Sequence, residues 1–164
     1  MSSATVVLPD AEATRALGRR LAAVLAAGDL VVLTGGLGAG KTTLTQGIGA
    51  GLDVRGQVAS PTFIIARVHE PRGAGPALVH VDAYRLNSLA EVDALDLDAS
   101  VDESVTVVEW GAGLVEDLAE DRLEVELVRP RGSQGDEPRR AVLVGVGGRW
   151  SGVDLVRAVG EPSP

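Results

Sequence analysis

The residues with the clearest chemical meaning lie between Gly35 and Thr42, which read G-G-L-G-A-G-K-T. This stretch fits the pattern G-x-x-x-x-G-K-[ST], in which the backbone N–H groups of a glycine-rich loop surround a phosphate. In that pattern the side chain of Lys41 reaches the β- and γ-phosphates, and the hydroxyl of Thr42 binds Mg²⁺. The stretch therefore predicts a phosphate-binding loop (P-loop).

The residues on either side of this loop support the prediction. Leu30–Thr34 is a short, apolar, β-branched run that is typical of a buried strand. The residues after Thr42 predict a helix, whose N-terminus adds unpaired N–H donors and a partial positive charge. Lys41 is also the only lysine of the chain, since every other Lys or Arg position is arginine. A compact ammonium group at this one position argues against a chance match among 21 glycines.

Two acidic residues end apolar runs and are expected near this loop. Asp82 follows Leu78–Val81, and Glu109 follows Val105–Val108. An acid at the end of a hydrophobic strand costs free energy unless it meets a cation or hydrogen-bond donors. Since ligands of α/β sheets bind at the carboxyl ends of strands, either acid would hold Mg²⁺ with Thr42 while the other orients the attacking water. The sequence leaves this assignment open, and the alternative for each is a carboxylate in solvent.

Other polar and aromatic residues allow two interpretations. The Ser60–Phe63 stretch, S-P-T-F, is either a mobile loop in which Thr62 senses the γ-phosphate or a turn before a strand. His80 alternates with the apolar residues of its strand, which favours a structural histidine over a catalyst. We expect His69, beside a turn, to be solvated, and Trp110 taken alone to be a core residue.

The arginines towards the C-terminus leave three alternatives open. Arg131, Arg139 and Arg140 form a solvated loop, a lid over phosphates or a contact with a partner. Trp150 is expected to pack under the last helix.

Strands and helices alternate along most of the chain. The predicted strands are Ala4–Leu8, Leu30–Thr34, Phe63–Val68, Ala77–Asp82, Val105–Glu109, Leu123–Val128 and Arg140–Val146. The predicted helices start after Asp10, after Thr42 (fraying at Gly49 and Gly51), at Ser88, near Leu114, and at a Ser151 cap with an end at Val159. This order predicts an α/β fold, a P-loop NTPase-like three-layer sandwich. Its mixed sheet would have a parallel core and an antiparallel C-terminal extension.

Size, composition and charge narrow the class of protein. A chain of 164 residues predicts a single domain, residues 1–159, with a flexible tail at 160–164. The absence of cysteine excludes disulfides and thiolate metal sites. No apolar run approaches the ~20 residues of a membrane helix, so we expect a cytoplasmic protein with no membrane contact. The net charge of −8 opposes direct binding to nucleic acid.

Four motifs, taken in order, resemble those of the TsaE (YjeE) family. They are G-x-L-G-A-G-K-T-T at 35–43, S-P-T-F at 60–63, H-x-D-x-Y-R-L at 80–86 and E-W at 109–110. The family is the P-loop ATPase component of bacterial tRNA threonylcarbamoyladenosine biosynthesis. The match covers about residues 8–150, and the last three motifs are far more specific than the P-loop, which hundreds of families share.

The resemblance implies a Mg²⁺-dependent ATPase that is weak alone and stimulated by partners. It implies that ATP or ADP phosphates are bound by Gly38, Ala39, Gly40, Lys41, Thr42 and Thr43. Thr42 and Glu109 would hold Mg²⁺, and the catalytic residues would be Lys41, Asp82 and Glu109.

The resemblance also assigns three residues outside the P-loop. Thr14 would lie near the adenine, Thr62 would belong to the switch-like loop, and Trp110 would be part of the nucleotide or partner site. Family members work with a TsaD–TsaB heterodimer, in which TsaD transfers the threonylcarbamoyl group to adenosine 37 of tRNA. The net negative charge of the chain agrees with a role in which the chain acts on tRNA indirectly, through these partners.

The chain departs from the family pattern at two places. Gly36 stands where the family usually has Asp, and Gly111–Gly113 follows Trp110 where Pro or Ala and then an acid are common. Neither change removes a phosphate or metal group. Two alternative functions remain: a small-molecule P-loop kinase with Arg129–Arg140 as its lid, and a nucleotide-gated interaction module. A kinase needs a second substrate pocket, which no arrangement of residues defines.

Overall fold

The structure is a computed structural model that describes residues 2–35, 40–54, 66–73, 75–82, 104–109, 121–128 and 139–158. At residues 2, 66, 67 and 82 it describes the backbone alone. The helices predicted at Ser88 and near Leu114 lie outside the described residues, as does the predicted tail at 160–164. Within the described part of the chain, no helix has the length and apolarity needed to cross a membrane.

Seven strands and four helices make up the described fold. The strands are β1 (Ser2–Leu8), β2 (Leu30–Gly35), β3 (Ala66–His69), β4 (Ala77–Asp82), β5 (Ser104–Glu109), β6 (Arg122–Val128) and β7 (Arg139–Val146). The helices are α1 (Ala11–Ala22), α2 (Lys41–Leu52), α3 (Gly148–Ser151) and α4 (Leu155–Ala158).

The strands form one mixed sheet in the order β1-β7-β6-β2-β5-β4-β3. The centre is parallel, because β2 pairs in parallel with β5 and β6, and β4 pairs in parallel with β5. The edges are antiparallel: β7 pairs with β6 and β1, and β3 pairs with β4 as a hairpin. The predicted α/β class with a parallel core and an antiparallel C-terminal extension is confirmed. The N-terminal strand joins that extension.

The alternation of side chains between the two faces of the sheet decides which strand residues face the helices. Val31 and Leu33 of β2 pack in one core with Leu17 of α1 and Leu44 of α2. Their register partners on β6, including Leu123, belong to the same core. Alternate residues point to the opposite face because successive strand side chains alternate. The described helices therefore cover one face of the sheet.

The start of α1 follows the sequence prediction. Asp10 is the N-cap, and its Oδ1 accepts a hydrogen bond from the Ala13 backbone N–H at 2.8 Å. This bond satisfies one of the donors that a helix leaves open at its first turn.

The end of α2 does not follow its prediction. The helix does not fray at Gly49 and Gly51 but runs to Leu52, and Asp53 ends it in the left-handed conformation. A Cβ on Gly51 would lie 3.0 Å from the Arg19 carbonyl oxygen of α1. Tight packing against α1 therefore compensates for the low helix propensity of glycine.

Two further predictions about single elements are wrong. Ser151 does not cap a helix that reaches Val159: it ends α3, and a separate α4 starts after Asp154, whose Oδ1 accepts from the Arg157 N–H. His69 is buried rather than solvated, with 4% exposure. Its register partner is Leu78, so it faces the helix-covered side of the sheet, while Val68 faces solvent.

Arg149 of α3 joins the C-terminal helices to the turn that precedes β2. Its Nε and Nη2 donate to the two carboxylate oxygens of Asp29, both at 3.0 Å, and Nη2 also donates to the Val24 carbonyl at 2.6 Å. The guanidinium carbon lies 4.5 Å from the ring centroid of Trp150, which is fully buried. This bidentate contact bridges residues 120 positions apart and holds the start of the P-loop strand.

Replacing Arg149 with alanine is expected to lower the free energy of unfolding by about 2 kcal/mol. The buried Asp29 would lose its cation but keep the N–H of Ala26, so the cost lies below the ~3–5 kcal/mol of a fully buried pair. Urea unfolding of Arg149→Ala measures this loss, and Arg157→Ala, at an exposed position, is the control. Equal urea midpoints for Arg149→Ala and the wild type would contradict the role given to this contact.

Candidate functional site

The loop between β2 and α2 begins and ends in conformations that suit glycine. Gly40, the N-cap of α2, has φ of +105°, which a residue with a Cβ rarely adopts. Among the described residues, no side chain caps the first turn of α2. The N-terminus of α2 therefore keeps its partial positive charge for an anion. Gly38 and Ala39 lie outside the described residues, and their phosphate contacts stay predictions.

Lys41 is the first residue of α2 and is only 6% exposed. Its Nζ donates to the backbone carbonyl of Gly35, the last residue of β2, at 2.9 Å. The lysine side chain thus folds back across the loop and places its ammonium group beside the loop backbone. A buried ammonium needs hydrogen-bond acceptors, and the oxygens of a phosphate would supply them.

The threonines after Lys41 differ in exposure. Thr42 and Thr43 are half-buried at the first turn of α2. Thr45 is fully buried, and its hydroxyl donates to the Lys41 carbonyl at 2.9 Å. Thr42 and Thr43 are therefore the hydroxyls of this turn that retain access from outside.

The sheet register brings together the two acids singled out in the sequence. Asp82 and Glu109 are paired positions on the parallel strands β4 and β5, and Glu109 is also paired with Leu33 of β2. Both acids end their strands at the edge of the sheet from which the P-loop leaves β2. Glu109 is 5% exposed, while the side chain of Asp82 lies outside the described atoms.

Glu109 has a buried partner that the sequence interpretation left unassigned. The Nε2 atom of His80 contacts Oε2 of Glu109, and the His80 side chain is fully buried. His80 pairs in register with Val107, two residues before Glu109, so the two side chains are diagonal neighbours on one face. His80 is buried, as a structural histidine would be, and its partner is a predicted site residue. The signal was the H-x-D spacing, which places His80 and Asp82 on the same face of β4.

Thr14 and Arg139 lie beside Gly40 from two different elements. A Cβ placed on Gly40 would lie 3.7 Å from Cγ2 of Thr14 and 3.5 Å from Nη1 of Arg139. Thr14 is buried in α1, and its hydroxyl donates to the Asp10 carbonyl at 3.4 Å. The structure therefore places Thr14 next to the P-loop, with its methyl group towards Gly40.

Arg139 begins β7 and is paired with Leu8 of β1. Sequence reasoning named it only as one arginine among three, because nothing local in the sequence brings β7 to the P-loop. No carboxylate of the described residues forms an ion pair with Arg139. Two cationic side chains, Lys41 and Arg139, thus stand near the positive end of α2. Both positive charges would attract an anion bound there.

Two other predicted site residues, Thr62 and Trp110, lie outside the described residues. The described part of the chain contains no group of three or more His, Cys, Asp or Glu side chains that would enclose a metal ion. Among the described side chains, the Thr42 hydroxyl and the Glu109 carboxylate are the two that the sequence predicted as metal ligands, and that assignment stays a prediction. Such a pair suits Mg²⁺, which keeps several waters and shares its ligands with substrate phosphates.

A family model described as "Threonylcarbamoyl adenosine biosynthesis protein TsaE" matches residues 8–139. A Streptomyces coelicolor protein named tRNA threonylcarbamoyladenosine biosynthesis protein TsaE is 60% identical over 142 residues, which is 86% of this chain and 96% of the relative. A Bacillus subtilis protein of the same name is 37% identical over 139 residues, covering 85% and 84%. The crystal structure of Bacillus subtilis YdiB superposes with a TM-score of 0.70 at 30% identity, covering 91% of this chain and 89% of that one.

Proposed function

This chain belongs to the TsaE family of threonylcarbamoyl adenosine biosynthesis proteins, and we propose that it is the Mg²⁺-dependent ATPase of that pathway. The observation that carries the proposal is the cradle at the end of β2. It combines a left-handed Gly40, a buried Lys41 and the strand-end Glu109 on the neighbouring strand. Taken together, these features suit a polyphosphate with a bound metal.

The described residues have distinct roles in this proposal. The N–H groups at the start of α2 and the ammonium of Lys41 bind the phosphates, while Thr42 and Glu109 hold Mg²⁺. Bound Mg²⁺ would neutralise charge that develops on the phosphate oxygens. Asp82, in register with Glu109, would orient the attacking water. Thr14 limits the space beside Gly40, where the rest of the nucleotide would leave the loop.

The biological output of the site is proposed to be tRNA modification. We propose that the protein works in the cytoplasm with TsaD and TsaB, in the transfer of a threonylcarbamoyl group to adenosine 37. The net charge of −8 supports a route to tRNA through these partners rather than by direct binding.

Depletion of the protein, followed by mass spectrometry of tRNA nucleosides, tests this role. We expect threonylcarbamoyladenosine to fall and to return when the wild-type chain is supplied. Unchanged levels of the modified nucleoside would refute the role in tRNA modification. ATP binding by the purified chain, measured by calorimetry, tests the nucleotide site separately.

Arg139 provides a sharper test of where the nucleotide lies. Replacing Arg139 with alanine is expected to weaken ADP binding by about 10-fold, the effect of losing one charge-assisted hydrogen bond at a partly exposed site. Arg140, the next residue of β7, is exposed and faces the opposite side of the sheet, so Arg140→Ala is a matched control. Calorimetric titration with ADP measures both. Equal affinities of the two variants would place the nucleotide away from the start of β7.

A further inference from the structure

His80 is a fully buried polar residue in apolar surroundings. It lies on β4 between Val79 and Val81, and its register partner on β5 is Val107; all three valines are buried. Its Nδ1 atom has no hydrogen-bond partner among the described residues. An unsatisfied buried nitrogen costs free energy that an aliphatic side chain at this position would avoid. The other ring nitrogen, Nε2, must therefore serve a purpose that offsets this cost.

The atom that Nε2 contacts is a carboxylate oxygen of Glu109. An ionised carboxylate has acceptors only, so with Glu109 ionised the proton lies on Nε2 and is donated to Oε2. This hydrogen bond engages one of the two oxygens of Glu109 and fixes the rotation of its carboxylate plane. The carboxylate then has Oε1 to present to a metal held at the end of β5.

We propose that His80 is a positioning residue that orients Glu109 as a Mg²⁺ ligand. The inference rests on the proposed nucleotide function and adds to it the residue that fixes the geometry of the metal ligand. Partners that orient a metal-ligating carboxylate typically change metal affinity by about 10–100-fold when removed. His80 acts through Glu109, so its removal is expected to affect the metal and to leave the phosphate cradle of Gly40 and Lys41 intact.

The test compares His80→Gln with His80→Met. The glutamine amide N–H reaches approximately the position of Nε2 and retains a donor, while methionine fills the volume without a donor. Thr106→Val is a control for a change inside the sheet, since Thr106 is buried on β5 and its hydroxyl has no partner among the described residues. Circular dichroism and thermal unfolding establish that each variant is folded.

Two measurements separate the roles of cradle and metal ligand. The first is ADP affinity in EDTA, which reports the phosphate cradle alone. The second is Mn²⁺ affinity of the ADP-bound protein, followed by electron paramagnetic resonance. We expect Mn²⁺ to bind about 10–100-fold more weakly to His80→Met, within about threefold of the wild type to His80→Gln, and normally to Thr106→Val. ADP affinity in EDTA should be alike in all four proteins.

Wild-type Mn²⁺ affinity in a folded His80→Met protein would overturn the proposal. If His80→Met does not fold, His80→Asn replaces it, because the shorter amide reaches the Nδ1 position and not that of Nε2. Equal Mn²⁺ affinities of the Asn and Gln variants would then overturn it. Failure of the wild-type protein to bind ADP both in EDTA and in Mg²⁺ would instead refute the proposed function, and the role of His80 with it.

Discussion

Replacing Lys41 with alanine is expected to lower ATP hydrolysis by about 10²–10³-fold, the effect of removing one preorganised donor from a charged transition state. The ammonium group stands at the first residue of α2, shielded from water and already folded across the loop by its bond to Gly35. It needs little reorganisation to meet a phosphate. ATP binding itself should weaken by at least about 10-fold, since a hydrogen bond to a charged group contributes about 1.5–3 kcal/mol.

The stability of Lys41→Ala distinguishes a lost contact from a lost fold. Burial of an ammonium group costs free energy in the nucleotide-free protein. Its hydrogen bond to Gly35 offsets part of this cost, so its removal is expected to leave the urea midpoint close to that of the wild type. Lys41→Arg serves as the second variant, because it keeps the charge while changing the shape of the donor. Full hydrolysis by Lys41→Ala would show that the phosphates are not bound at this loop, and would remove the basis of the ATPase proposal.

Local signals in the sequence were enough to predict the strands and helices that surround the P-loop. The unbroken apolar run at Leu30 predicted a strand buried on both faces, and β2 is buried there. Leu123, Val125 and Leu127 alternate with Glu124, Glu126 and Val128, which indicates a strand with one mostly solvated face, and in β6 the second set is half-buried to exposed. Asp10 predicted the start of α1. In each case the information is carried by residues within one turn or one strand of the feature.

Long-range packing was not predictable from such signals. β1 pairs with β7, so that Ala4 is opposite Leu143, and no local pattern specifies this partner. Arg139 reaches the P-loop because β7 pairs with β6 and β6 pairs with β2, which is why sequence reasoning left the arginines of this region with three alternatives. His69 was mispredicted because its burial depends on the register of β3 against β4.

The residues of the candidate site likewise divide into those that the local sequence predicts and those that depend on long-range packing. The positions of Lys41 and Thr42 next to the loop were predictable because both residues belong to one short sequence motif. The pairing of Glu109 with His80 was not, because it depends on two strands being adjacent, parallel and in one particular register. The H-x-D spacing indicates only that positions 80 and 82 share a face of β4. The pairing of β4 with β5 decides that Glu109 lies beside His80 on that face.

Replacing Gly47 with alanine is expected to lower the free energy of unfolding by about 2–3 kcal/mol. A Cβ on Gly47 of α2 would lie 2.9 Å from Cα of Arg15 in α1, and closer still to the Arg15 carbonyl oxygen. Gly18 makes the reciprocal approach from α1, with a Cβ position 2.7 Å from the Ile48 nitrogen. Both obstacles are backbone atoms, so no side-chain rotation relieves them and the helices must separate.

The helix propensities of glycine and alanine favour the opposite result, so the loss of stability in Gly47→Ala is a strict test of this packing. Alanine is favoured over glycine inside a helix by about 1 kcal/mol, so a stabilising effect would be expected if the two helices did not touch here. Gly148→Ala is the control, because no atom lies within 4 Å of its Cβ position. Thermal unfolding should show Gly47→Ala melting about 4–12 °C lower and Gly148→Ala near the wild type.

The same substitution links the packing of the helices to the site. α2 begins with Lys41, and Thr14 of α1 lies against its N-cap Gly40, so separation of the two helices moves the cradle relative to β2 and Glu109. ADP affinity of Gly47→Ala, measured below its melting temperature, should therefore fall together with its stability. Glycine at position 47 is then required for nucleotide binding through helix packing, although it touches no phosphate. A more stable Gly47→Ala protein with unchanged ADP affinity would disprove this coupling.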